Sequence, residues 1–176
     1  MANRADVLAA AQELLATDQV VSLDSVARAV GLTKPGLMHY FATKQDLMLA
    51  LVDASVDALE TQLVAEVGDP AEASAVQRMR AYAVVSLRGG FGGADLAMLA
   101  DARLRGPLTE RWVQRMHPWV DLHDITDPAV RGRLTAVRML ADGAWLGDAG
   151  DYLTLTPDER PHVLAAVTEL VEGLEP

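Results

Sequence analysis

Two lysines are all that this 176-residue chain contains, Lys34 and Lys44, and they bracket an adjacent His39-Tyr40 pair. An ammonium can hold a phosphate, and an imidazole or phenol can donate to a phosphate or to the edge of a base. Gly36, with no side chain, lets a backbone approach closely. Exposed polar residues are usually no more than a solvated helix face. That reading explains any one of these side chains, but not the convergence of both lysines and the His-Tyr pair on one short segment, which points to contact with DNA. Lys34, Gly36 and His39 are the candidates for facing base edges. Ser22 and Ser25, a little earlier in the chain, are candidates for the adjacent phosphate and, equally, plain helix caps.

No other group of residues competes. His117, Asp121, His123 and Asp124 have the right chemistry for a metal, but Pro118 breaks the spacing that would align them on one helix, and a solvated loop is the better reading. No nucleophile–base pair or paired carboxylates can be singled out by spacing, so the chain does not read as an enzyme, and no cofactor is implied. The absence of cysteine removes disulfides, thiol catalysis and Cys-ligated zinc together, and points to the cytoplasm.

The elements that must position the first segment are legible from caps and periodicity. Ser22 caps a helix whose inner face carries Val26, Ala27 and Val30 and which stops at Gly31, a residue able to take a positive φ. Thr33 caps the next helix, Pro35 sits in its first turn, and Leu37 and Phe41 lie four apart on its inner face, leaving Lys34, Gly36, His39 and Tyr40 outward. Thr43 with Asp46 makes a capping box that opens a third helix. This is a helix-turn-helix. A preceding helix, capped by Asn3 with Asp6 and running to about Thr17, would cover it with Val7, Leu8, Ala11, Leu14 and Leu15; residues 18–21 are a short link.

From Thr43 a longer helix carries Leu47, Leu51, Ala54, Ala58, Leu63 and Val67 on one stripe and ends at Gly68. Gly68-Asp69-Pro70 predicts a boundary, followed by a helix from about Ala71 to Leu87. Residues 89–93 read as a glycine-rich loop. Asp95 should open a short helix to about Arg103, and Gly106-Pro107 another that Pro118 ends or kinks. Asp127-Pro128 and Thr156-Pro157 start two long helices with wide apolar faces. No segment alternates with a two-residue period, so the fold class is all-α.

The run LTKPGLMHYFATKQDLM, residues 32–48, resembles the recognition helix and following turn of the TetR family of transcriptional regulators. Its signature is a threonine-capped short helix, an aromatic cluster, a phenylalanine and then a lysine. Met38 stands where many members carry tyrosine. The resemblance implies a DNA-binding domain over residues 1–47 and a ligand-binding and dimerisation domain over 48–176. It implies that Thr33, Tyr40 and Lys44 hold phosphates, so that the candidate DNA-binding set is Ser22, Ser25, Thr33, Lys34, Pro35, Gly36, His39, Tyr40 and Lys44. It also implies a cavity for a mostly apolar small-molecule effector, for which Met79, Tyr82, Phe91, Met98, Trp112, Met116 and Trp145 are the lining candidates; with Trp119, each is individually a better core residue. The last two long helices would pair with their copies in a homodimer, bringing two heads to a palindromic operator of double-stranded DNA, which the chain would repress until the effector releases it.

The formal net charge of −10 is unexpected in a chain that binds a polyanion. Residues 1–50 hold Arg4, Arg28, Lys34 and Lys44 against Asp6, Glu13, Asp18, Asp24 and Asp46, a net of −1, so the acidic load lies mostly elsewhere. The acidity supports an alternative of another class, an all-α protein-interaction module whose head no longer binds DNA. No run of eighteen uncharged apolar residues exists, so no membrane span is expected.

Overall fold

The computed structural model describes residues 2–17, 19–97 and 99–174. Among these the chain forms helices α1 (Arg4–Ala16), α2 (Leu23–Ala29), α3 (Lys34–Met38), α4 (Lys44–Val67), α5 (Ala75–Arg88), α6 (Arg105–Val120), α7 (Pro128–Ala149) and α8 (Glu159–Val171). A 3-10 turn spans Gly93–Leu96, and no strand occurs among the described residues. The all-α expectation holds. None of the described helices is long and apolar enough to cross a membrane.

The chain divides into two compact units. Unit 1 is Met1–Val56 with Gly92–Arg115, and unit 2 is Asp57–Phe91 with Met116–Pro176. In unit 1, α1 packs on α2 and on the 3-10 turn, and α2 packs on α3. Val7, Ala11, Val26, Leu37, Leu47, Leu51, Val52 and Leu108 are sealed from solvent there. The N-terminal half of α4 is clasped to α6 by Asp53, whose carboxylate accepts from Arg111 at 2.7 and 3.0 Å and from Arg115 at 3.1 Å. The Arg111 hydrogen bond holds the Asp53 carboxyl below its ordinary range, against the opposing effect of burial.

In unit 2, α5 packs against both α7 and α8. Its buried side chains include Val76, Met79, Tyr82, Ala83 and Leu87, which recur at helical spacing. Leu134, Val137, Ala141 and Trp145 answer it from α7, and Val167 and Val171 from α8.

Local capping chemistry explains where most helices begin. Asn3 and Asp6 close a reciprocal box on α1. Thr33 accepts the Gly36 N–H at 3.2 Å, and Thr43 and Asp46 exchange bonds at the head of α4. Asp127 receives two N–H groups at the start of α7. Gly31 and Gly68 end α2 and α4 with φ of +69° and +83°.

Three boundaries differ from expectation. Asp69 caps only a single turn, through the Ala71 N–H, and α5 starts later, at a box between Ser74 and Gln77. The expected helix from Asp95 to Arg103 is a 3-10 turn and bends instead, with bonds three residues apart at Ala97 and Leu99. A Cβ on Gly93 would lie 2.9 Å from the Leu15 carbonyl oxygen, so the bare backbone at the entry to this turn packs directly on α1. Pro118 lies inside α6, which continues to Val120. So close to the end of the helix, its missing N–H removes one bond and leaves the preceding turns intact. The expected link at residues 18–21 includes Asp18, which lies outside the described residues.

Candidate nucleic-acid interface

The five residues of α3 are held between a cap and two anchors. Leu37 has no exposure and Phe41 only 3%, and the guanidinium of Arg4 lies 4.8 Å above the Phe41 ring. With that face fixed, Thr33, Lys34, Pro35, Met38 and His39 are exposed and Gly36 is half-buried. A Cβ on Gly36 would press on Thr33 Oγ1 at 3.3 Å, so the bare residue also protects the cap.

The polar groups around α3 are engaged in ways that local sequence does not show. The Tyr40 hydroxyl donates to the Ala2 carbonyl at 2.7 Å, so this side chain is half-buried and ties the start of α1 to the end of α3. It does not simply point outward. Lys34 pairs with Asp24 of α2 at 2.9 Å, both ends exposed. Such a pair is weak and easily exchanged for a phosphate. Lys44 pairs with Asp101 at 2.5 Å, and the lysine holds the Asp101 carboxyl below its ordinary value. Ser22 and Ser25 cap α2 reciprocally, and Ser25 Oγ also donates to the Val20 carbonyl. All nine candidate DNA-binding residues thus lie in unit 1. Asp24, Asp101 and the Ala2 carbonyl are partners of these side chains that spacing missed; for the two aspartates the signal was that both lysines must find a counter-charge in an acidic chain.

The candidate effector residues are distributed differently. Met79, Tyr82, Phe91, Met116 and Trp145 belong to unit 2 and Trp112 to unit 1, while Met98 lies outside the described residues. Met79, Tyr82, Met116, Trp119 and Trp145 are buried; Phe91 and Trp112 are partly exposed. The Tyr82 hydroxyl donates to Asp142 at 2.7 Å, and Asp142 also accepts from Arg138. Burial, and then the Asp142 carboxylate, push the phenol far above its ordinary value.

His117, His123, Asp121 and Asp124 form a surface cluster of ion pairs. His123 Nδ1 meets Asp121, and its Nε2 lies 2.9 Å from Asp124. The Asp121 hydrogen bond raises the His123 pKa above its ordinary value, and Asp121 is lowered in turn. The histidine's contribution to stability is complete below its unfolded pKa and lost as pH rises through the folded one. That of Asp121 is present above the unfolded carboxylate pKa and lost as pH falls through the folded one. The pair therefore acts in the window between the two. An NMR titration should find His123 titrating above an ordinary histidine, and Asp121→Asn should return it toward that ordinary value.

A capped, outward-facing recognition helix in an N-terminal helix-turn-helix, followed by a helical body, defines a DNA-binding transcriptional regulator. Residues 7–51 match the model for bacterial regulatory proteins of the tetR family, and residues 76–172 match that for the tetracyclin repressor-like C-terminal domain. The chain belongs to the TetR family of transcriptional regulators, a family of dimeric DNA-binding proteins that are generally not enzymes. The fold is shared with the crystal structure of Mycobacterium smegmatis AmtR, at a TM-score of 0.55 and 21% identity, over 97% of this chain and 86% of that one. No curated protein matches the chain significantly.

Proposed function

We propose that the chain is a ligand-responsive repressor that acts in the cytoplasm and binds a palindromic operator as a homodimer, with residues 1–47 as the DNA-binding domain and 48–176 as the ligand-binding and dimerisation domain. The observation that carries this is the exposure of Lys34 and His39 on a helix whose opposite face is pinned by buried Leu37 and Phe41. Thr33 and Lys44 take phosphates, with Tyr40 fixing the geometry through Ala2 and Ser22 and Ser25 holding the start of α2 beside them. Lys34, Gly36 and His39 face base edges, and Pro35 shapes the first turn of α3. Dimerisation runs through α7 and α8, where Met139 is 63% exposed and Ala165 and Ala166 lie open to solvent. The effector is a mostly apolar small molecule received among the aromatic and methionine side chains of unit 2, with Tyr82 and Asp142 as polar groups. It acts only by binding one arrangement of the heads better than the other.

Fluorescence anisotropy against duplexes from the promoter beside its own gene tests the reading. Salt-sensitive, sequence-selective binding is expected, and its absence at low ionic strength refutes it. Lys44→Ala should weaken binding to every sequence and flatten the salt dependence by about one phosphate contact per protomer, whereas His39→Ala should change which sequences are preferred. The pairing of both lysines with aspartates favours the second reading, an acidic interaction module with a silent head. The same titration decides between them.

A further inference from the structure

We propose that the segment Asp101–Arg105, far from the head in sequence, is a second DNA-contacting element, in which Arg103 and Arg105 add two cations to the duplex backbone beside the phosphate taken by Lys44. The proposal rests on the reading of Lys44 as a phosphate ligand and extends it.

One carboxylate joins the segment to the head. Asp101 Oδ2 grips Lys44 Nζ at 2.5 Å, while its Oδ1 accepts the Arg103 N–H at 2.8 Å and its carbonyl accepts the Leu104 N–H at 3.1 Å. The backbone of Arg103 is thereby fixed one ion pair away from Lys44, all within unit 1. Asp101 is mostly covered, its side chain 17% exposed, so this is an anchored junction.

The two arginines are placed as fold stability alone would not place them. Both are exposed, and among the described residues neither has an ion-pair or side-chain hydrogen-bond partner. Further along the same helix, Arg111 and Arg115 are drawn onto Asp53. Arg105 is the first residue of α6 and Arg103 lies just before it, at the positive end of the helix dipole, where a cation is disfavoured and an anion welcome. Two unpartnered guanidinium groups and a helix N-terminus together make an anion-attracting edge, and guanidinium suits phosphate in geometry as well as charge. The occupant follows from the neighbour: with Lys44 read as a phosphate ligand, the anion that reaches this edge is the operator backbone. The arrangement also answers the charge problem of the head, whose first fifty residues are net −1 and need cations from elsewhere to hold a duplex.

The test uses the full chain with an operator duplex and a scrambled duplex, across a salt series. Arg103→Ala/Arg105→Ala should make the slope of log K against log salt shallower by about 1.8 per protomer, roughly 0.9 for each lost phosphate contact. Affinity should fall equally for both duplexes, and Arg103→Lys/Arg105→Lys should keep the slope. An unchanged slope in the alanine variant, beside a normal wild-type slope, overturns this proposal and leaves the Lys44 reading standing. A slope lost in the lysine variant too points to a structural role and also overturns it. Should the wild type bind neither duplex in a salt-sensitive way, the Lys44 reading falls and this one with it.

Discussion

Leu37→Ala should abolish sequence-selective DNA binding and destabilise unit 1 by about 2–5 kcal/mol, the range for truncating a fully buried leucine. Helix α3 has five residues, far below the length at which a helix persists on its own. It exists because Thr33 caps it and because Leu37 and Phe41 are buried beneath it. Leu37 has no exposure, so its loss leaves a cavity on the inner face of the short helix that presents Lys34 and His39, the residues assigned to base edges. Removal of the cap by Thr33→Ala should cost less, about 1 kcal/mol, and weaken binding without erasing it. Urea unfolding followed beside anisotropy separates the two effects. Selective binding that survives in a clearly destabilised Leu37→Ala protein would show that α3 does not read the duplex.

The second large effect lies in unit 2. Asp148→Ala should destabilise it by about 2–4 kcal/mol, toward the lower end of the range for a buried pair, because it leaves a largely covered guanidinium without its counter-charge. Arg160 Nη2 donates to both oxygens of Asp148, at 2.7 and 3.0 Å, and Nη1 donates to the Leu87 carbonyl at 3.0 Å. One cation thus joins α7, α8 and the end of α5. The Asp148 side chain is 5% exposed and that of Arg160 19%, so water replaces only part of what a missing partner supplied. Gly89 makes the room: at φ +76° it ends α5, and a Cβ there would lie 2.8 Å from Asp148 Oδ2 and 2.9 Å from an Arg160 nitrogen. Replacing both partners together, as Asp148→Leu with Arg160→Met, should cost far less than either change alone, since the desolvation cost of the charges goes with them. Thermal melts of the wild type, Asp148→Leu, Arg160→Met and the double variant close a double-mutant cycle that checks this. A single-variant loss under about 1 kcal/mol would mean that the pair is solvated rather than buried.

The helix-turn-helix could be read from its residues because nearly everything that shapes it is local. Each cap joins residues three apart: Asn3 with Asp6, Ser22 with Ser25, Thr33 with Gly36, Thr43 with Asp46. Gly31 takes the positive φ the turn demands, and Leu37 and Phe41 turn inward as their spacing requires. The start of α5 departs from expectation because two start signals compete, Asp69-Pro70 and Ser74 with Gln77, and the reciprocal box at Ser74 begins the long helix. The segment after Asp95 turns instead of forming the expected helix, and its entry at Gly93 lies against the Leu15 carbonyl, far away in the chain, an approach that no local pattern records.

The amino-acid sequence by itself determined the all-α class, the capped recognition helix and its two buried anchors, since these depend on side chains within a few residues of one another. Only the tertiary structure decided what the polar groups do. Tyr40 finds Ala2 across 38 residues, Lys44 finds Asp101 across 57, and Arg160 finds Leu87 across 73. Which of many similar carboxylates or carbonyls meets a given donor depends on how helices stack, and that is fixed by the whole apolar core at once rather than by any residue's neighbours.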